Sequence, residues 1–93
     1  MGHEPNEKIP SELAERLLQA AIVARKNAYC PYSHFAVGAA LLCEDGNIVT
    51  GCNVENAAFL SICAEQSAIA YAVGRGFRHF RAMAVVGARE NET

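Results

Sequence analysis

Apolar and polar positions alternate along this chain with two distinct periods. From Ser11 to Ala28, Leu13, Leu17, Ala20, Ala21 and Ala24 recur at helical spacing, while Glu12, Glu15, Arg16, Gln19 and Lys26 fall on the opposite side. That spacing predicts an amphipathic helix. Ser11 is the expected N-cap, with Glu12 and Glu15 placing negative charge near the positive helix end. Pro31 disfavours helical geometry in the residue before it, so the Cys30–Ser33 stretch is expected to close the helix. Residues 35–43 are nearly continuous in apolar character, the pattern of a strand covered on both faces. Asp45-Gly46 is a hairpin-turn signal, and residues 48–53 are expected to return as an antiparallel strand.

A polar loop, 55–61, precedes a second helix, expected from about Cys63 to Val73. Ala64, Ala68, Ile69 and Ala72 form its apolar side, and Gly74 its stop. Residues 80–88 read as a third strand, expected to run parallel to its partner after a right-handed crossover. The element order is therefore α-β-β-α-β. Residues 1–10, polar and interrupted by Pro5 and Pro10, read as a flexible leader, and 11–93 as one domain. The last five residues, Arg89 to Thr93, are polar and read as the start of a loop. A core of two helices and three strands is thin, because a chain of this length buries only roughly 60% of its unfolded surface.

Composition removes several function classes. Hydrophobic residues make up 52% of the 93, too many for a disordered segment. Yet no apolar run approaches the ~20 residues of a membrane-spanning helix, and the polar start is not a signal peptide. The expectation is a cytoplasmic protein without a membrane partner. The net charge is −2, and the basic residues are scattered apart from Arg75, Arg78 and Arg81. A nucleic-acid groove needs clustered cations, so a small, weakly charged ligand fits better. Four cysteines without an export signal are expected to be free thiols. Cys30, Cys43 and Cys52 lie in or beside apolar runs and read as small buried hydrophobes.

Chemistry concentrates in Gly51-Cys52-Asn53-Val54-Glu55-Asn56-Ala57 and in Ile62-Cys63-Ala64-Glu65-Gln66. A cysteine at a helix start suits a metal-ligating thiolate, because the helix end carries partial positive charge. Glu65, two residues on, can stand beside a metal without ligating it, the place needed by a carboxylate that shuttles protons. Each residue also has an ordinary role. Phe35 could be core, Asn53 a turn former, Glu55 a solvated charge, Cys63 a helix residue, and Glu65 an acid favoured by the first turn. Their joint occurrence separates the readings.

Together with Pro31-Tyr32-Ser33-His34-Phe35 and Val37-Gly38-Ala39-Ala40, these segments resemble the small, tetrameric, zinc-dependent branch of the cytidine deaminases. Its Cys-Ala-Glu is the counterpart of the His-x-Glu signature of zinc deaminases. The resemblance implies a three-layer α/β/α fold and deamination of cytidine and deoxycytidine by zinc-held hydroxide. It implies Cys63 as a zinc ligand and Glu65 as the catalytic proton carrier. Phe35 would lie against the pyrimidine, the Ala64 amide would meet the base carbonyl, and Asn53 and Glu55 would hold the ribose hydroxyls. It also implies a homotetramer acting on small nucleosides in pyrimidine salvage. Alternatives are a deaminase of blasticidin-type nucleosides and a non-catalytic nucleoside-binding or interaction module. His34 and His79 are not expected as ligands.

Two departures stand out. Gln66 occupies the place where this branch usually has an arginine, and replacing a charged group beside a metal ligand typically costs ~10–100-fold in affinity or activity. The branch's Pro-Cys-x-x-Cys motif, source of two further zinc ligands, does not occur in the 93 residues. The resemblance therefore implies a portion lacking part of the metal site: a fragment of a longer deaminase, or one half of a split enzyme completed by a second polypeptide.

Overall fold

A computed structural model describes residues 9–57 and 61–90. The expected leader lies largely outside these residues; of the expected terminal loop 89–93, only Arg89, which ends a strand, and Glu90 lie inside. Five elements follow in order: α1 (Ser11–Arg25), β1 (Phe35–Cys43), β2 (Ile48–Cys52), α2 (Ala64–Gly74) and β3 (Phe80–Arg89). The sheet order is β2-β1-β3, so the most apolar strand lies in the middle.

Helix α1 begins one residue earlier than its cap assignment implied. Pro10 is the cap, with its carbonyl accepting from Ala14 N at 2.9 Å, and Ser11 is already helical. Proline has no side-chain oxygen to accept from the first-turn N–H groups, and no side-chain cap forms. The helix ends at Arg25 rather than Ala28, six residues before Pro31, in a turn closed by Lys26 N and Asn27 N on Val23 and Ala24 carbonyls. Its apolar stripe behaves as expected, with Leu17, Ala21 and Ala24 buried. Between β1 and β2 the Asp45-Gly46 turn forms as expected. Gly46 takes φ +97°, a conformation that favours glycine, and Asp45 Oδ1 accepts from Asn47 N at 3.1 Å.

The third strand corrects the expected pairing. β3 runs in the same direction as β2 but is hydrogen-bonded to β1, antiparallel, with Val37 opposite Gly87 and Ala39 opposite Val85. The crossover passes over β1 instead of stopping beside β2. That leaves β1, apolar on both faces, flanked on both edges, where a parallel β2–β3 pair would have left it at the rim.

Alternate residues of the sheet face the two helices. Ala40 and Leu42 of β1 pack with Leu17 and Ala21 of α1, joined by Ile48, Ala82, Ala84 and Val86. Ala39, Leu41 and Cys43 pack with Val49 and with Ala64, Ala68 and Ala72 of α2. The result is the three-layer α/β/α arrangement. Both helices approach closely, because at each seam a small helix residue meets a glycine. A Cβ on Gly38 would stand 2.1 Å from the Ala21 carbonyl oxygen, and one on Gly51 2.4 Å from Ala68 N. Ile69, expected on the apolar side of α2, instead faces outward; the alanines at 64, 68 and 72 alone line the inner face. The α2 stop is also displaced, from Gly74 to Gly76 at φ +99°, whose N–H meets the Val73 carbonyl at 3.0 Å.

Candidate functional site

The strand register gathers the segments singled out in the sequence at one end of the sheet. Gly38 lies opposite Cys52, so the start of β1, with Phe35, adjoins the end of β2, with Asn53 and Glu55. Beyond β2 the chain continues as an extended strip. Val54 bridges Tyr29 on one side and Ile62 on the other, with Val54 N to Ile62 O and Ile62 N to Val54 O both 3.0 Å. Because the Val54–Ile62 bridge is antiparallel, the next residue along, Cys63, falls abreast of Asn53. Helix α2 therefore starts at the same end, with Glu65 in its first turn.

Cys63 caps α2. Its Sγ accepts from Gln66 N at 3.4 Å, while its own N–H donates to Gln66 Oε1 at 3.0 Å. This reciprocal pair is a capping box with a thiol in place of the usual hydroxyl. It gives Gln66 a definite task at this helix start. Cys63 is exposed, and Ala64 is buried behind it. Glu65 is half-buried.

Asn53 ties the end of β2 to the start of β1 with its side chain. Its Oδ1 accepts from Val37 N at 2.9 Å, and its Nδ2 donates to the Phe35 carbonyl at 2.9 Å. The amide orientation is forced, since a backbone N–H only donates and a carbonyl only accepts. One amide hydrogen and one lone pair remain for a ligand. Glu55 Oε1 accepts from the N–H groups of Tyr32 and Ser33, both at 3.0 Å. Hydrogen bonds from the Ser33 hydroxyl and amide hold its carboxyl below the ordinary range; partial desolvation opposes them, and the Tyr32 amide and nearby His34 add to them. Glu55 thus shapes the 31–34 turn that delivers Phe35.

Sequence reasoning missed the brace under that turn. His34 has φ +57°, an uncommon conformation for a residue with a side chain. Its N–H meets the Cys30 carbonyl at 3.0 Å, its carbonyl accepts from Glu90 N at 2.9 Å, and its Nδ1 lies 3.1 Å from Glu90 Oε1. The only sequence signal was histidine's tolerance of such turns. A shallow cavity of about 220 Å³ beside the site is lined by Tyr29, Tyr32, Glu55, Asn56 and Ala57. A wider one, about 600 Å³, lies between α1 and β2 among Glu15, Arg16, Val23, Ile48 and Thr50. It holds none of the chemistry-bearing side chains and sits on the other face of the sheet, so size does not mark the site here.

All four cysteines are free thiols. Of those expected to be buried, Cys30 and Cys43 are, and Cys52 only in part. Burial pushes all three of these thiols above their ordinary pKa.

The family model of the cytidine and deoxycytidylate deaminase zinc-binding region matches residues 11–89. The chain belongs to that family. It is 52% identical over 77 residues to a cytidine deaminase of Sporosarcina psychrophila, covering 82% of this chain and 57% of that one. Among solved structures, cytidine deaminase from Burkholderia pseudomallei superposes with TM-score 0.76 at 51% identity, over 78% of this chain and 60% of that chain. The Mycobacterium tuberculosis cytidine deaminase gives 0.78 at 41%, over 86% and 63%. The chain therefore spans less than two thirds of these relatives.

Zinc is the metal of the matched family. Cys63 has the donor atom and the exposure for one ligand. Among the described residues, however, no three or more His, Cys, Asp or Glu side chains gather as a metal-binding group. A zinc site takes three or four protein ligands, so the described residues do not by themselves make one.

Proposed function

We propose that the whole protein catalyses hydrolytic deamination of cytidine and deoxycytidine, and that this chain supplies its nucleoside-binding wall and its proton carrier. The observation that carries the reading is the convergence at one sheet end of Phe35, Asn53, Glu55, Cys63 and Glu65. The Phe35 ring offers an apolar face to the pyrimidine. The Ala64 amide, at the free end of α2, points a donor towards the base carbonyl. Asn53 and Glu55 offer one donor and several acceptor sites to the ribose hydroxyls. Cys63 contributes one thiolate towards zinc.

The reaction adds water at C4 of the base and releases ammonia. Glu65 takes one proton from the water and passes it to ring N3, then takes the second from the C4 hydroxyl and passes it to the departing amine. The base ends with a C4 carbonyl and an N3–H, and the carboxylate ends as it began. A positioned acid–base group contributes ~10²–10⁴-fold. Glu65→Gln in the whole protein should therefore lower cytidine turnover by at least that range while zinc content is retained. Near-normal turnover would overturn the assignment. The reading extends to a cytoplasmic homotetramer working in pyrimidine salvage. The resemblance of the motifs to the tetrameric branch supports it, as do the apolar side chains Ile69, Tyr71 and Val73 exposed on α2. No described helix is long and apolar enough to cross a membrane.

A further inference from the structure

Gly87 interrupts an otherwise substituted stretch of β3, and glycine in a strand weakens it unless something needs the space. Its backbone does not require glycine, since Gly46 and Gly76 are the only glycines with positive φ among the described residues. What requires it is the Phe35 ring. A Cβ on residue 87 would stand 2.8 Å from Phe35 Cε2 and 3.2 Å from Cζ, with Val37 Cγ2 also at 3.2 Å. The ring thus lies where a side chain at 87 would be.

The register accounts for this. Val37 is directly opposite Gly87 and Phe35 opposite Arg89, so Phe35 reaches Gly87 along the cross-strand diagonal, on the sheet face that also carries α2. Asn53 grips the backbone on both sides, at the Phe35 carbonyl and the Val37 N–H. With the backbone held and the ring seated on bare Cα, the outer ring face is fixed in height above the sheet. Phe35 keeps 46% of its surface exposed, which leaves that outer face open to a ligand.

We propose that Gly87 is a positioning residue for the pyrimidine: the side chain it lacks is the seat of the Phe35 ring, and the depth of that seat sets where the ring meets the base. The inference rests on the reading of Phe35 as the base platform. A methyl at 87 would lift the ring off the sheet towards the ligand, because the new Cβ and the ring share one face.

The test is proton NMR of this chain with added cytidine, on the wild type, Gly87→Ala and Phe35→Leu. In the wild type, the Gly87 Hα should show cross-peaks to the ring and an upfield ring-current shift that Phe35→Leu abolishes. That measurement needs no folded Gly87 variant, and its failure overturns the seat. In Gly87→Ala the Phe35 ring resonances should move, those of Leu42 and Ala21 should not, and cytidine affinity should fall about three- to tenfold, the worth of one aromatic contact. A moved ring with unchanged affinity, while Phe35→Leu still weakens binding, overturns the positioning role and leaves the platform standing. Unchanged or absent cytidine binding in wild type and Phe35→Leu alike removes the platform itself, and the proposal with it.

Discussion

The two faces of the sheet are built from similar residues and finished to different degrees. On the α1 face all three strands contribute to one cluster, with Ile48, Leu42 and the β3 residues Ala82, Ala84 and Val86 lying under the helix. On the α2 face the alanine stripe covers β1 and β2, and β3 adds only half-buried Met83. Val85, next along on that face, keeps 46% of its surface exposed, and Phe35 the same. The α1 face draws one cluster from all three strands, whereas the other passes from core to open surface halfway across. The chemistry-bearing side chains collect where the cover of the second face begins. The start of α2 lies at that open margin, with Cys63 exposed and Glu65 half-buried.

The sharpest way to break this comparison is to truncate one apolar side chain on each face. Leu42 is fully buried, so Leu42→Ala should cost about 2–5 kcal/mol by lost transfer energy and the cavity left behind. Val85→Ala should stay within about 0.5 kcal/mol, as for a surface substitution. Urea denaturation of both variants checks this. Equal costs would mean that the α2 face over β3 is covered in solution and that the asymmetry is not real.

How much of this could be read beforehand follows the same division. The inward stripe of α1, the doubly covered β1 and the Asp45-Gly46 turn were legible, because each depends on neighbours within a few residues. The motif residues were legible as a set, and the structure brings Phe35, Asn53, Glu55, Cys63 and Glu65 to one end. Strand pairing was not. Whether β3 lies beside β2 or crosses to β1 depends on which strand gains most by being central, a property of the whole sheet. The tasks of Asn53 and Gln66 were only half legible for a related reason. Their residue types announced hydrogen bonding, but the partners, Phe35 and Val37 for one and the Cys63 amide for the other, are set by register and by cap geometry. Gly87 left a signal that was not used, a glycine inside a strand with no turn to explain it.

A smaller effect tests the join between β2 and β1. Asn53→Ala removes two hydrogen bonds at once, one of them partly buried, and should cost about 1–2 kcal/mol. Asn53→Asp sharpens the point. It keeps an acceptor for Val37 N but sets a second oxygen against the Phe35 carbonyl, so near neutral pH it should be no more stable than the alanine variant. Wild-type stability in Asn53→Asp would show that the Phe35 contact contributes nothing. Neither change should alter the α1 side of the sheet, and amide exchange at Ala21 and Leu42 should keep its wild-type ranking.

The smallest expected effect is electrostatic and belongs wholly to the open end. The Glu55 carboxyl is held below its ordinary 4.5 by the Ser33 hydroxyl and amide and the Tyr32 amide. The folded state therefore prefers the charged form more than the unfolded chain does. The sign follows from linkage: this contribution is present above the ordinary value and is lost as pH falls below 4.5 through the lower folded value. Acid should accordingly loosen the 31–34 turn before it reaches the α1 core. Glu55→Gln keeps the shape and an acceptor oxygen but cannot titrate, so its stability should show a shallower decline over that acid window than the wild type. Parallel thermal melts across the window decide it, and identical slopes would mean that the Ser33 and Tyr32 contacts do not distinguish the charged carboxylate from the neutral one.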